Sequence, residues 1–219
     1  MTWVERAADR SPAVQRSRER GIEQATAIVE AARRLIALKG SAFTTQELVK
    51  EAGVALKTFY RYFASKDQLL VAVIEDLISS ACLEFELRAV ELADPLERLR
   101  YFVGTAVAAT SLGNEEAVGG AQFITTEHWR LYSLYPAEME RATRPFTELV
   151  LRQMEEATAL GMLAPRHPEN DAWLVGQLVM TVYHHYAFAP SDETIEAIGD
   201  RLWDFCLAAL GGATEPGAG

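Results

Sequence analysis

The chain has 219 residues, 49 % of them hydrophobic and 24 % charged, with two cysteines, four histidines and a net charge of −10. That length can bury a real core and that composition excludes a disordered chain, while two cysteines and four histidines with no close Cys-x-x-Cys spacing argue against structural zinc or a disulfide scaffold. No run approaches the roughly 18 apolar residues of a membrane span, and the start of the chain lacks the apolar core of a secretory signal, so a cytoplasmic protein is expected.

Residues 1–20 are polar, contain Pro12 and carry Arg16, Arg18 and Arg20. They read as a flexible basic arm, with phosphate or minor-groove contact as the alternative use of the arginines. A first helix is expected over about 22–38, with Ile28, Ala31, Ala32, Leu35 and Ile36 inward and Lys39-Gly40 closing it. Thr44 and Glu47 have the spacing of a capping box. The short helix they open carries Leu48, Val49 and Ala52 and stops at Gly53, which enters the left-handed region at no side-chain cost. A second short helix follows. By helix angle Leu56, Phe59, Tyr60 and Phe63 form its anchoring side, with Lys57, Thr58, Arg61 and Tyr62 opposite. Ser65 and Gln68 repeat the capping spacing, and Lys66 lies in the next first turn, where a phosphate is favoured. Two short helices across a tight turn can hold the second in a DNA major groove.

The rest of the pattern stays helical. Helices are expected over about 66–92, 95–112, 121–133, 136–161, 171–188 and 192–210, with Gly113-Asn114 and Gly119-Gly120 bracketing a loop and Pro165 and Pro168 marking a turn. The helix after Asp171 is apolar on more than one side, including Trp173, Leu174, Val175, Leu178 and Val179, and the last helix adds Phe205 and Trp203 to its main stripe. Such helices are central in a core or covered by another chain. Inward aromatic or polar residues of the middle helices are candidate ligand contacts: Phe102, Phe123, Trp129, Met154, Gln177, Met180, Tyr183 and His184. The same set is also what an ordinary helical core looks like, and plain packing is the first reading for any one of them.

Charge divides the same way. Residues 1–66 hold 12 Lys/Arg against 7 Asp/Glu, a net of +5, whereas residues 67–219 hold 9 against 24, a net of −15. Phosphate attraction depends on potential within roughly 8 Å, so a basic head can bind a duplex despite an acidic body.

The segment resembles the helix-turn-helix of TetR-family transcription regulators. The resemblance rests on Ala52-Gly53-Val54, on Thr58-Phe59-Tyr60-Arg61-Tyr62-Phe63 and on Lys66, supported upstream by Ala31-Ala32, Leu35-Ile36 and Lys39-Gly40. It covers about residues 24–70 in detail. One departure is Ala55, where the family commonly has a Ser or Thr cap. The resemblance implies an all-α protein with a three-helix DNA-binding domain over 21–65, a six-helix ligand-binding and dimerisation bundle over 66–211, and a disordered tail over 212–219. It further implies a homodimer that reads a pseudo-palindromic double-stranded operator, without cofactor or metal, and a small, largely apolar effector that releases a repressor. Gln46 and Thr58 suit base edges chemically, and Tyr60 joins them by the resemblance alone. Thr45, Lys57, Arg61, Tyr62 and Lys66 are expected on phosphates.

The competing reading is a helical-bundle ligand-binding protein or enzyme without DNA function. A di-metal bundle needs paired Glu-x-x-His segments, and none of His128, His167, His184 or His185 has Glu three residues before it. No phosphate loop or nucleophile motif occurs either. The chain is therefore not expected to be an enzyme.

Overall fold

The computed structural model describes Trp3 and residues 11–110, 115–189 and 191–212, without the side chains of 115–117. The first part of the expected arm, the Gly113-Asn114 turn and the tail after Gly212 lie outside those residues. The described chain is all-helical: α1 Pro12–Lys39, α2 Thr45–Glu51, α3 Leu56–Tyr62, α4 Lys66–Ala89, α5 Pro95–Ala108, α6 Glu115–Leu134, α7 Pro136–Ala159, α8 Pro168–Tyr186 and α9 Ile195–Ala209, with a 3-10 turn at Gly40–Ala42. It forms two compact units, Met1–Val73 and Ile74–Gly219. Their division falls inside α4 and not at the expected 65/66, and the first two turns of α4 bury Leu69, Leu70 and Val73.

In the first unit, α1 begins ten residues earlier than expected, at Pro12. Residues 12–20 are therefore helix and not flexible arm. Proline is tolerated at the first helical position because its missing N–H would be unpaired there anyway, and continuing an existing helix avoids the cost of nucleation. Ile28, Ala31, Ala32, Leu35 and Ile36 make the buried stripe. Thr44 caps α2 with a complete capping box: its hydroxyl accepts Glu47 N–H at 3.2 Å, and the Glu47 carboxylate accepts Thr44 N–H at 2.6 Å. At the other end Gly53 has φ +65°, while Val54 N–H reaches Val49 O at 3.0 Å and Gly53 N–H reaches Lys50 O at 3.3 Å. This is the Schellman pattern, and it fixes the direction in which the chain enters α3.

In the second unit, α5 packs on α7, α8 and α9, and α7 and α8 pack on each other and on α6. Its core joins Phe85 and Phe102, stacked at 6.4 Å, with Met154, Val175, Val179, Leu202 and Trp203. Cys82 and Cys206 are buried there as free thiols. Burial pushes Cys82 up to about 12, with Glu86 adding to the effect, and pushes Cys206 up to about 11. Helices start where local chemistry provides caps: Asp94 Oδ1 accepts Leu96 N–H at 2.8 Å and Glu97 N–H at 2.9 Å, and Thr194 accepts Ala197 N–H at 3.2 Å. Gly119-Gly120, expected to close a loop, lie inside α6. A helical glycine costs only about 1 kcal/mol, and burial of Ala121, Phe123 and Ile124 just beyond offsets it.

Candidate nucleic-acid interface and effector site

Phe59 sets the orientation of α3. Its side chain is fully buried, with rings of Tyr60 at 5.0 Å and Phe63 at 5.9 Å. Thr58, Tyr62 and Phe63 lie half-buried beside it, while Leu56, Lys57, Tyr60 and Arg61 are exposed. The helix is thus turned relative to the sequence-based expectation. Leu56 and Tyr60, expected to anchor, face outward, and Thr58 and Tyr62 sit at the margin of the packed side. One fully buried phenylalanine outweighs an averaged apolar arc, because the penalty for exposing it exceeds that for exposing a leucine edge or an amphipathic tyrosine. Ala55 supplies no side-chain cap, but its carbonyl accepts Thr58 N–H at 2.8 Å and Phe59 N–H at 3.2 Å.

The outward face has ordered edges. Arg61 donates to Tyr62 Oη at 2.9 Å and to Gln24 of α1, and Tyr62 Oη donates to Gln24 Oε1 at 3.1 Å. Gln24 holds the end of α3, and nothing in its sequence context marked it. On α2, Gln46 is exposed and Thr45 half-buried. Lys66 departs most from expectation. Its ammonium donates to Phe43 O at 2.6 Å and to Ser41 O, and lies 4.4 Å from the Phe43 ring centre. It clamps the turn between α1 and α2, with at least two of its donors committed to backbone carbonyls. Its place in the first turn is as expected, but which carbonyls fold beneath it depends on the packing of α1 against α2.

The expected ligand contacts in the second unit separate into three groups. Phe102, Phe123 and Met154 are buried, and Phe102 and Met154 belong to the main core. Met180, Tyr183 and His184 are half-buried. Trp129 is 67 % exposed and Gln177 is exposed, so neither lines the interior. On α6 the inward stripe runs through Ala121, Ile124, His128 and Leu131, which leaves Trp129 a helical step outside it. On α8 the stripe is Ala172, Val175, Gly176 and Val179, and Gln177 falls off it.

His128 is the residue that was missed, although the spacing of its neighbours carried the signal. Its ring lies 5.0 Å from that of His184, between α6 and α8, with Trp129 at 4.9 Å and Tyr132 at 5.8 Å. His184 Nδ1 is 3.0 Å from Thr125 Oγ1. His128 Nδ1 and His184 Nε2 are buried without a hydrogen-bond partner. Burial lowers the His128 pKa, and burial together with the charge of His128 lowers His184 to about 4. Both imidazoles are therefore neutral near pH 7 and offer one donor or acceptor each to an incoming polar group. Among the described residues no group of three His, Cys, Asp or Glu could hold a metal, and no helix is long and apolar enough to cross a membrane.

Known proteins agree with this architecture. Residues 28–73 match the family model for bacterial regulatory proteins of the tetR family, ending where the first unit ends. Over 185 residues the chain is 31 % identical to the HTH-type transcriptional regulator EthR of Mycolicibacterium smegmatis, covering 73 % of this chain and 84 % of that protein. Its fold is like that of Thermus thermophilus FadR, a TetR-family transcriptional repressor solved with lauroyl-CoA (TM-score 0.68, 17 % identity, 89 % of this chain and 99 % of that one). It is also like AibR solved with isovaleryl coenzyme A and operator DNA (TM-score 0.53, 23 % identity, 87 % and 100 %). With a helix-turn-helix unit in front and a helical bundle behind, the chain belongs to the TetR family of DNA-binding transcription regulators.

Proposed function

We propose that the protein is a homodimeric repressor that leaves a pseudo-palindromic operator when a small, largely apolar effector enters its C-terminal bundle. The observation that carries the reading is the outward face of α3, where Lys57, Tyr60 and Arg61 stand exposed over a fully buried Phe59. In this reading Gln46, Thr58 and Tyr60 approach bases, while Thr45, Lys57, Arg61 and Tyr62 hold phosphates. Dimerisation is assigned to α8 and α9, which expose Trp173, Leu174 and Phe205, large apolar groups that a second copy would cover. Two reading helices then serve successive major-groove faces about 34–36 Å apart.

The effector's polar group is assigned to His128 and His184, whose unpartnered nitrogens it would satisfy. FadR was solved with lauroyl-CoA and AibR with isovaleryl coenzyme A, one long acyl chain and one short, which supports a ligand with an apolar acyl-like part. Release requires that the effector bind the non-operator conformation more tightly, since equal affinity for both would shift nothing. The test is binding of purified protein to duplexes from the region beside its own gene, with mass in solution measured in parallel. A dimer that protects a two-fold site is expected. A monomer that ignores that DNA at low salt would refute the reading.

A further inference from the structure

The part of α1 before Gly21 has no core to serve: residues 12–20 are helical and every one is exposed. An exposed helical extension gains nothing from burial, so its side chains are the place to look for its use. Arg16, Arg20 and Gln24 recur at four-residue spacing and therefore lie along one side of the helix. Gln24 is the residue that accepts hydrogen bonds from Arg61 and Tyr62 at the end of α3, and a Cβ placed on Gly21 would lie 3.4 Å from Tyr62 Oη. The α1 side that touches the reading helix thus continues outward as an arginine ridge. At 1.5 Å per residue, Arg20 lies about 6 Å and Arg16 about 12 Å beyond Gln24. Arg18 lies on the other side of the helix. Among the described residues no carboxylate pairs with Arg16, Arg18 or Arg20.

We infer that the N-terminal extension of α1 is a second phosphate-binding element, in which Arg16 and Arg20 extend the surface led by Arg61 along the DNA backbone outside the operator core. This rests on the DNA-binding reading above. The occupant is set by continuity with that face and by charge: residues 12–20 carry Arg16, Arg18 and Arg20 against Glu19 alone, a net positive stretch leading away from exposed Arg61 that is complementary to a polyanion. A ridge of about 12 Å spans three to four base-pair steps of duplex at 3.4 Å each. Its contribution carries no sequence information, so it raises affinity for operator and unrelated DNA alike.

The test compares the full-length protein with Arg16→Ala/Arg20→Ala and with Arg18→Ala, measuring operator affinity from about 50 to 200 mM salt. The double variant should lose about 1 in the slope of log affinity against log salt for each lost contact, or about 4 in a complex with two subunits. Arg18→Ala should leave the slope unchanged. Trimming the duplex by about four base pairs at each end should erase the difference between the double variant and the original protein. An unaltered slope in the double variant, an equal loss in Arg18→Ala, or a difference that survives trimming would overturn the ridge while leaving DNA binding by α3 intact. Failure of the unaltered protein to bind any duplex would overturn both.

Discussion

Gly53 in the first unit and Gly199 in the second are glycine for opposite reasons, and the difference shows two ways in which helices are placed. Gly53 has φ +65°, and a Cβ added to it would meet nothing within 4 Å. It is needed for its backbone conformation alone. Gly199 lies within α9, where a Cβ would come 3.2 Å from Cα of Gly104 on α5. It is needed for closeness, because two helices meet there backbone to backbone. The front unit is directed by instructions that act over a few residues: caps, a left-handed turn, one buried aromatic. The bundle is directed by contacts between whole helices, some consecutive and some, like Gly104 and Gly199, far apart in the chain.

The strongest challenge to that contrast is Phe59→Ala. Removing a fully buried phenylalanine should cost about 3–5 kcal/mol and abolish DNA binding, with faster hydrogen exchange confined to the segments before Val73. A loss spread evenly into α5–α9 would break the contrast. Lys66→Ala comes next. Losing charge-assisted bonds to the Ser41 and Phe43 carbonyls should cost about 1.5–3 kcal/mol, seen as a lower unfolding midpoint. The salt slope of DNA binding should hardly change; a loss of about 1 per subunit would show that the lysine also holds a phosphate.

The glycines themselves sharpen the point. Gly53→Ala should cost about 1–2 kcal/mol from the left-handed backbone alone, and Gly53→Asn should recover part of it, since asparagine tolerates that region. Gly199→Ala should cost about 1–3 kcal/mol through overpacking against Gly104, with no recovery by asparagine. Urea unfolding midpoints distinguish the two patterns.

The smallest expected effects depend on pH. The Lys39 ammonium, followed by the Thr44 N–H and hydroxyl, holds the Glu47 carboxyl at about 2. A depressed carboxyl pKa stabilises the fold fully above the ordinary value near 4.5, and that contribution fades as pH falls toward 2. Glu47→Gln should remove this fading. His184 is held at about 4 against an ordinary 6.5, so the unfolded chain binds more protons between those values. Bundle stability should fall as pH drops from 6.5 to 4, and His184→Phe should flatten the dependence. Unfolding midpoints measured across pH 2–7 check both.

How far the sequence could be read follows the same division. The Thr44–Glu47 box, the Gly53 turn and most helix starts were legible because each cause lies within five residues of its effect. The rotation of α3 was not, since it depends on how deeply Phe59 sinks compared with Leu56 and Tyr60. Pro12 marks a helix start inside a stretch expected to be a flexible arm, because proline opens a helix as readily as it ends one. In the bundle, the apolar stripes were legible but their partners were not. Trp129 is expected inward and His128 is not among the expected contacts, whereas the one-residue step that puts His128 inward follows the buried Ile124 and Leu131. Gln24 had no local signal at all: its partners lie 37 and 38 positions away.

The two thiols sealed between the bundle helices make the protein its own clock. A thiol reacts as thiolate, and with Cys82 near 12 and Cys206 near 11 almost none exists at neutral pH while the helices stay closed. An alkylating reagent therefore records only the moments when they part. Any molecule that tightens the bundle will slow that reaction, so unknown effectors can be screened by the rate of labelling before an operator has been found.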